Sequence, residues 1–443
     1  MIKHVAIDRQ LYSLSNIVQL VALAKRGHAV TMITGRIGDS RVTLPPLIPS
    51  FRLVTILLRR QLTPLSLLVF ELKAFLRVLQ LEPVDCVILG VDTLPAFLPF
   101  FFLRRLLIGR PVLFLRIESN PTETGGRLRS LLLSVSDAFS LAVGKILCDK
   151  ILFISPLMER YYSSQYHIPK SKTDVWPSSV DMNRFDPRSG SAEKIIRLRK
   201  ELGISDQTVV LYHGLLSERK GIMETVEAFK ILKEQSVNAK LIILGYGPMR
   251  EALLRYVQDN RLNDIVQIRG PVDSIGEVRD YVALCDVGIL PMPDHPWWRY
   301  QLFIKSLELL AMNKPLIVSD IPANRSIIGK APVAVYLKAT TPQGIADGVR
   351  EFMAVRSSLN ATLGREIAAR FSVHRIALNI EHWISFCMAR KSVSKTSQRN
   401  NKRFSAWRSD MDSRGSSYRG LSDRCHRRRF GFEWTKSKEL LTI

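Results

Sequence analysis

Short apolar runs alternate with longer stretches in which apolar residues recur at helical spacing, and the alternation continues to about residue 388. A run of four to eight apolar residues suits a strand buried on both faces. The 3.6-residue recurrence between such runs suits helices laid over a parallel sheet. In the first part the pattern predicts strands at His4–Ile7, Ala29–Ile33, Cys86–Leu89, Pro111–Leu115 and Lys150–Ile154. Ser15-Asn16 can cap a helix that passes through Lys25-Arg26 and stops at Gly27, and Thr63-Pro64 can start one that runs to about Leu81. The stretch Trp176 to Pro187 is rich in turn formers and reads as an interdomain linker. A second series follows, with strands at Val209–Tyr212, Lys240–Leu244, Val266–Ile268, Val287–Leu290 and Pro315–Val318. Its helices are expected over Ile222–Glu234, Met249–Asp259, Ile275–Cys285, Ile304–Met312, Pro342–Ser358 and Ile367–Met388. Two doubly wound α/β domains in tandem account for this order. Beyond Met388 the periodicity stops and Ser, Arg, Lys and Asn dominate, so the tail is expected to be disordered.

Composition narrows the class. A length of 443 residues exceeds what one hydrophobic core usually serves, in keeping with two domains. A hydrophobic share of 46% excludes a disordered or collagen-like chain. The net charge of +24 is uneven: residues 1–185 carry 23 Lys/Arg against 13 Asp/Glu, 186–388 carry 26 against 22, and 389–443 carry 15 against 5. Basic ends around a nearly neutral middle predict anionic partners at the ends. The five cysteines (Cys86, Cys148, Cys285, Cys387 and Cys425) are scattered without a Cys-x-x-Cys pair. Neither a zinc site nor a disulfide framework is expected, and a reducing compartment fits. The N-terminus reaches charge too early for a signal peptide. The longest apolar stretch, Leu94 to Leu103, is about half of the roughly 20 residues a spanning helix needs. The expectation is an intracellular chain that does not cross a membrane.

Candidate chemistry clusters between Leu211 and Asp320. The strand Val209–Tyr212 ends in His213-Gly214-Leu215-Leu216-Ser217-Glu218-Arg219-Lys220-Gly221 before a helix. Small residues there let backbone amides and a helix N-terminus meet an anion, and Arg219 and Lys220 add charge. The next strand ends in a second such turn, Gly245-Tyr246-Gly247-Pro248. The first is not a phosphate-loop NTPase motif, and the second lacks the third glycine of a dinucleotide fingerprint, so each alone is equally an ordinary strand–helix turn. In Phe303–Pro315, Lys305 and Glu308 lie on one side of a helix that opens at the carboxyl edge of the sheet, where open α/β sheets bind ligands. A carboxylate there can accept both ribose hydroxyls and a lysine favours a phosphate; the alternative is a surface ion pair.

Taken together, Gly214…Lys220-Gly221, Gly245-x-Gly247-Pro248, Gly270-Pro271-Val272, Tyr281…Cys285-Asp286-Val287…Pro291 and Lys305-x-x-Glu308…Lys314-Pro315…Ser319-Asp320 resemble the donor-binding domain of family 4 (group 1) glycosyltransferases. Those are retaining enzymes of GT-B fold, two Rossmann-like domains facing across a cleft, that use nucleotide sugars. Asp149-Lys150, Ser155 and Trp176-Pro177-Ser178-Ser179-Val180-Asp181 look like the end of that family's first domain. The resemblance implies an acceptor-side domain over 1–182, a nucleotide-sugar domain over 183–372 and a helix over 373–388 returning to the first domain; 389–443 is the basic tail outside it. It implies that Glu308 binds ribose, Lys220 the diphosphate with Arg219 and Lys305 beside it, and the backbone near Val272 the base. It implies too that Gly214, Gly245 and Gly247 let backbone approach the nucleotide. Three positions depart from the family pattern. Tyr300 stands where an earlier glutamate is common, Leu215 where an arginine is, and Asp8-Arg9-Gln10-Leu11-Tyr12-Ser13 replaces a glycine-rich loop.

On the acceptor side, Arg116-Ile117-Glu118 follows a strand where relatives often carry His-Asp or His-Glu. Glu118 can orient an acceptor hydroxyl or stabilise an oxocarbenium ion; otherwise it pairs with Arg116 or faces solvent. His213 either touches the donor or is a structural histidine. Retention needs no enzyme base if the leaving diphosphate oxygen takes the acceptor proton, with Lys220 and Arg219 offsetting the charge. No metal and no cofactor besides the nucleotide-sugar co-substrate is implied. Arg59, Arg60, Arg104, Arg105 and Arg110, like Arg127 and Arg129, lie beside apolar runs. They either hold the protein to an anionic membrane surface near a lipid-linked acceptor or merely reach from the core to water. Trp297-Trp298 either stack on sugar or lipid or cover the hinge. The rival readings are an impaired nucleotide-sugar-binding protein, nonspecific nucleic-acid binding through Arg427-Arg428-Arg429, and a tail that is a displaced reading frame.

Overall fold

The structure is a computed structural model; it describes residues 3–8, 14–37, 48–58, 64–81, 84–90, 111–118, 127–270, 272, 275–296, 298–301 and 303–391. Two parallel sheets organise them. The first contains β1 (Lys3–Asp8), β2 (Ala29–Ile37), β3 (Phe51–Leu58), β4 (Cys86–Gly90), β5 (Val112–Ile117), β6 (Lys150–Phe153) and β7 (Thr173–Val175), in the order β3-β2-β1-β4-β5-β6-β7. The second contains β8 (Thr208–His213), β9 (Ala239–Leu244), β10 (Val266–Arg269), β11 (Val287–Leu290), β12 (Leu316–Ser319) and β13 (Ala334–Leu337), in the order β10-β9-β8-β11-β12-β13. Each order reverses once, between β1 and β4 and between β8 and β11. The carboxyl ends of the strands beside a reversal form a crevice.

The apolar runs become strands because both faces of each are covered. Every residue of β8 and of β9 is buried. Alternate residues serve opposite sides: Val210 and Ile243 pack under helices Ile222–Glu234 and Pro342–Val355, whereas Leu211 and Ile242 pack with Leu307 and Leu310. In the first half, Phe70, Ala74 and Val78 of helix Pro64–Leu79 and Leu141 of helix Arg127–Leu147 share a core with Ile33, Leu89 and Leu113. The opposite sides of those two helices leave Val69, Leu72, Leu76, Val135, Phe139 and Ile146 exposed.

Several expectations are corrected. The predicted helix Ile367–Met388 is two helices, Ala361–Ala369 and one starting at residue 373. The chain breaks because Ser372 bridges to Val180, with the Val180 amide donating to Phe371 and that of Val373 to Val180. The second helix buries Ile380 and Ile384, and its Glu381 pairs with Arg26 at 2.7 Å and His28 at 3.2 Å. Trp176 to Pro187, which lies between the strands of the two sheets, is packed as well as rich in turn formers: Trp176, Val180 and Phe185 are buried. Strands β3, β7 and β13 and helices Arg127–Leu147, Pro156–Tyr166, Ala192–Glu201 and Pro322–Ile328 add to the predicted elements. Arg59, Arg60, Arg104, Arg105, Arg110 and Trp297, the apolar stretch Leu94 to Leu103 and the tail from 392 lie outside the described residues, as do the side chains of Arg127 and Arg129. Among the described residues no helix is long and apolar enough to cross a membrane.

Candidate functional site

β8 ends at His213 and β9 at Leu244, and the loops that follow pack on each other. The Gly214 amide donates to the Leu244 carbonyl at 2.8 Å, and the Leu216 amide to that of Tyr246 at 2.7 Å. A Cβ on Gly245 would lie 1.9 Å from the Gly214 carbonyl oxygen, and one on Gly247, at φ +149°, 2.1 Å from that of Leu216. Glycine at both positions is required by contact between the loops. Gly214, at φ +123°, has another reason: its Cβ would fall 2.3 Å from Cε of Lys305. Its bare backbone is the slot through which that side chain runs. The Cβ directions of all three glycines are thus taken up by protein.

Lys305 enters on the first turn of helix Ile304–Ala311. Its ammonium stands 4.5 Å from the centre of the Tyr212 ring and donates to the Tyr212 hydroxyl at 3.2 Å. Burial, helped by the nearby Lys220 charge and opposed by Glu308, brings its amine down from 10.5 to about 7. Lys220 is lowered too, by burial, and its ammonium lies 6.0 Å from the Trp298 ring. Among the described residues neither lysine has an ion-pair partner. One turn beyond Lys305, Glu308 accepts from His213 Nε2 at 2.8 Å, with side-chain exposures of only 13% and 6%. The surface pair Lys305–Glu308 is therefore not formed. Each partner is held instead by one of the last two residues of β8.

The rest of the first loop frames these groups. Arg219 is exposed at φ +61°, an uncommon conformation for a residue with a side chain, and its carbonyl accepts from the Trp298 indole at 2.9 Å. Gly221 precedes helix Ile222–Glu234 at φ +68°, where a Cβ would lie 2.1 Å from the Pro291 carbonyl oxygen. The positive end of that helix dipole therefore opens at the carboxyl edge, next to Lys220. Val272, after β10, is partly buried against the core shared with Leu244.

Glu118 lies elsewhere, at the end of β5 in the other sheet. It pairs with Arg116 at 3.1 Å, and the Arg116 guanidinium lies 4.2 Å from the Trp176 ring centre. The Trp176 indole in turn donates to Gln19 at 2.7 Å. The plain ion pair weighed from sequence is what forms. Leu215 is exposed. Tyr300 stacks on Tyr161 with ring centres 5.0 Å apart, and its carbonyl accepts from the Ser155 hydroxyl. That position joins the segment after β11 to helix Pro156–Tyr166 and brings no second carboxylate.

The structure thus brings Gly214, Gly245, Gly247, Lys220, Lys305 and Glu308 together at the carboxyl edge beside the reversal of the second sheet. Sequence reasoning did not find the roles of Tyr212 and His213 in holding Lys305 and Glu308. The signal available was their position as the last two residues of a buried strand.

A sequence model of the family described as "Glycosyl transferases group 1" matches residues 207–354. An uncharacterized glycosyltransferase of Methanocaldococcus jannaschii is 26% identical over 201 residues, covering 45% of this chain and 50% of the relative. A GDP-mannose-dependent alpha-(1-6)-phosphatidylinositol dimannoside mannosyltransferase of Mycobacterium tuberculosis is 26% identical over 219 residues, covering 48% and 52%. The chain spans about half the length of these curated relatives. The crystal structure of Anabaena HepE in complex with UDP and glucose superposes with a TM-score of 0.66 at 15% identity, over 87% of this chain and all of the other. Over residues 207–354 the chain therefore matches the group 1 glycosyltransferases in sequence, and its fold is that of the GT-B glycosyltransferases.

Proposed function

We propose that the protein is a retaining hexosyltransferase of family 4 type, moving a sugar from a nucleoside-diphosphate sugar to a glycan or lipid-linked acceptor. The observation that carries this reading is the pair Lys220 and Lys305, two partly buried ammonium groups that have no carboxylate partner among the described residues and stand beside Glu308. Two such cations in a site of reduced hydration suit a diphosphate, which restores their lost solvation. Glu308 takes the ribose hydroxyls and the backbone near Val272 the base. Arg219, exposed on the first loop, adds charge at the entrance. In the transfer, the bond from the anomeric carbon to the diphosphate oxygen breaks and the acceptor oxygen bonds on the same face. The acceptor proton passes to the departing phosphate oxygen. Lys220 and Lys305 stabilise the diphosphate as its charge grows, and Glu118, held in its pair with Arg116, orients the acceptor from the first sheet.

A lipid-linked acceptor is favoured by the exposed apolar residues Leu72 and Leu76, which share the outer side of helix Pro64–Leu79 with Lys73 and Arg77. An apolar stripe bordered by cations suits the surface of an anionic membrane and supports a peripheral position on the cytoplasmic membrane face. The mycobacterial relative is described as acting on a phosphatidylinositol dimannoside, a lipid.

The experiment is a panel of UDP-, GDP- and ADP-sugars, read first by the rise in melting temperature and then by transfer to glycan and lipid acceptors. One donor class is expected to stabilise the protein and to turn over, with the product anomer matching the donor by NMR. Stabilisation without turnover on any acceptor identifies the binding-protein alternative. An inverted product overturns retention.

A further inference from the structure

Lys305 and Glu308 are three positions apart in helix Ile304–Ala311, a spacing at which opposite charges meet across one turn. They do not meet, because the end of β8 separates them. Tyr212 engages the ammonium through its hydroxyl at 3.2 Å and its ring face at 4.5 Å, and His213 engages the carboxylate at 2.8 Å. A carboxylate only accepts, so His213 Nε2 carries the proton of that bond. The bond is made to Oε2, and among the described residues Oε1 accepts none. Both side chains are largely buried, so water competes weakly for the interaction.

We propose that His213 is a positioning residue that makes the site selective for ribonucleotides, by holding Glu308 off Lys305 and presenting its second oxygen to a ribose diol. The inference rests on the reading of Glu308 as the ribose ligand. Without the imidazole, the carboxylate is free to turn toward the unpaired ammonium one turn away. That turn removes the acceptor from the ribose and a cation from the diphosphate together. Neither His213 nor Tyr212 needs to touch the nucleotide for this effect.

The test measures binding of UDP, GDP and ADP and of their 2′- and 3′-deoxy counterparts by calorimetry. The proteins are the unaltered chain, His213→Ala, His213→Met, His213→Gln and Glu308→Ala, each checked for folding by thermal melting. The unaltered chain is expected to favour the ribonucleotide by about tenfold or more, the worth of one charge-assisted hydrogen bond. His213→Ala and His213→Met, which lack a donor, should bring that ratio close to one, while diphosphate binding weakens and persists through Lys220. His213→Gln, whose amide can donate to Glu308, should keep most of it. Met fills the space and is compared with Gln if the alanine variant does not fold. A ratio that survives in folded His213→Met but is lost in Glu308→Ala overturns the positioning role and leaves the ribose reading intact. A ratio that survives in Glu308→Ala, or is absent from the unaltered chain, overturns the ribose reading and the proposal with it.

Discussion

Lys305 links the chemistry of the site to pH. With its amine brought down to about 7, the residue is half protonated near neutrality in the empty site. A bound diphosphate favours the charged form, so binding takes up a proton. Affinity should fall by up to about tenfold per pH unit as pH rises above 7, until the pKa of the complex is passed. Calorimetry in two buffers of different ionisation enthalpy measures the uptake, and Lys305→Met should bind more weakly with that pH dependence removed. The same shift acts on folding with a definite sign. Because the folded value lies below the ordinary 10.5, the folded chain holds fewer protons than the unfolded one between about 7 and 10.5. The destabilisation from Lys305 is therefore full below 7 and lifts as pH rises toward 10.5. The motif around Lys305 and Glu308 was legible in sequence because spacing alone places two residues on one helix side. Their partners were not, since Glu308 meets a histidine 95 positions earlier in the chain.

At the level of elements, Trp176 shows how a segment of turn formers can be a packed joint. Its ring lies under the Arg116 guanidinium, its indole binds Gln19, and it is 1% exposed. Trp176→Ala should cost roughly 3–5 kcal/mol, the usual range for emptying a buried aromatic site. Trp176→Phe should cost less, chiefly for the lost partner of Gln19. Urea denaturation followed by circular dichroism ranks the two, and equal stability for all three proteins would show that the joint carries no load. β3 escaped the periodicity because it is an edge strand: Arg52 and Thr55 are exposed between buried Phe51 and Ile56. The pattern therefore lacks a continuous apolar run. The break at Ser372 escaped because apolar spacing continues across it, while the bridge to Val180 that causes it is remote in sequence.

For the whole molecule, the question is what the basic ends do. The helix from residue 373 has buried its apolar side by Cys387. A chain ending at Lys391 should therefore melt like the full chain; a fall of several degrees would show that the tail packs. That shortened chain should bind anionic vesicles at low salt and release them as salt screens the charge. Each basic group near such a surface contributes about 1 kcal/mol, so changing Arg104 and Arg105 to glutamate should weaken binding by tenfold or more. Leu72→Glu should weaken it further by removing an apolar contact. Vesicle binding that is absent, or unchanged in these variants, would assign the arginines and leucines to a solvated face.

The alternation of buried strand and covering helix, and with it two parallel sheets, is written in the local order of residues. That order also sets the glycine turns at the carboxyl ends of β8 and β9. Those properties are local: a run of apolar residues reports burial on both faces, and glycine reports backbone conformations other residues avoid. Which charges pair is settled by the way the elements come together in space. Glu308 is held by His213, Lys305 by Tyr212 and Glu118 by Arg116, while Tyr300 turned to Tyr161. Partner choice depends on which strand and helix ends converge, and on how much water is left between them. Neither quantity is encoded in spacing along the chain.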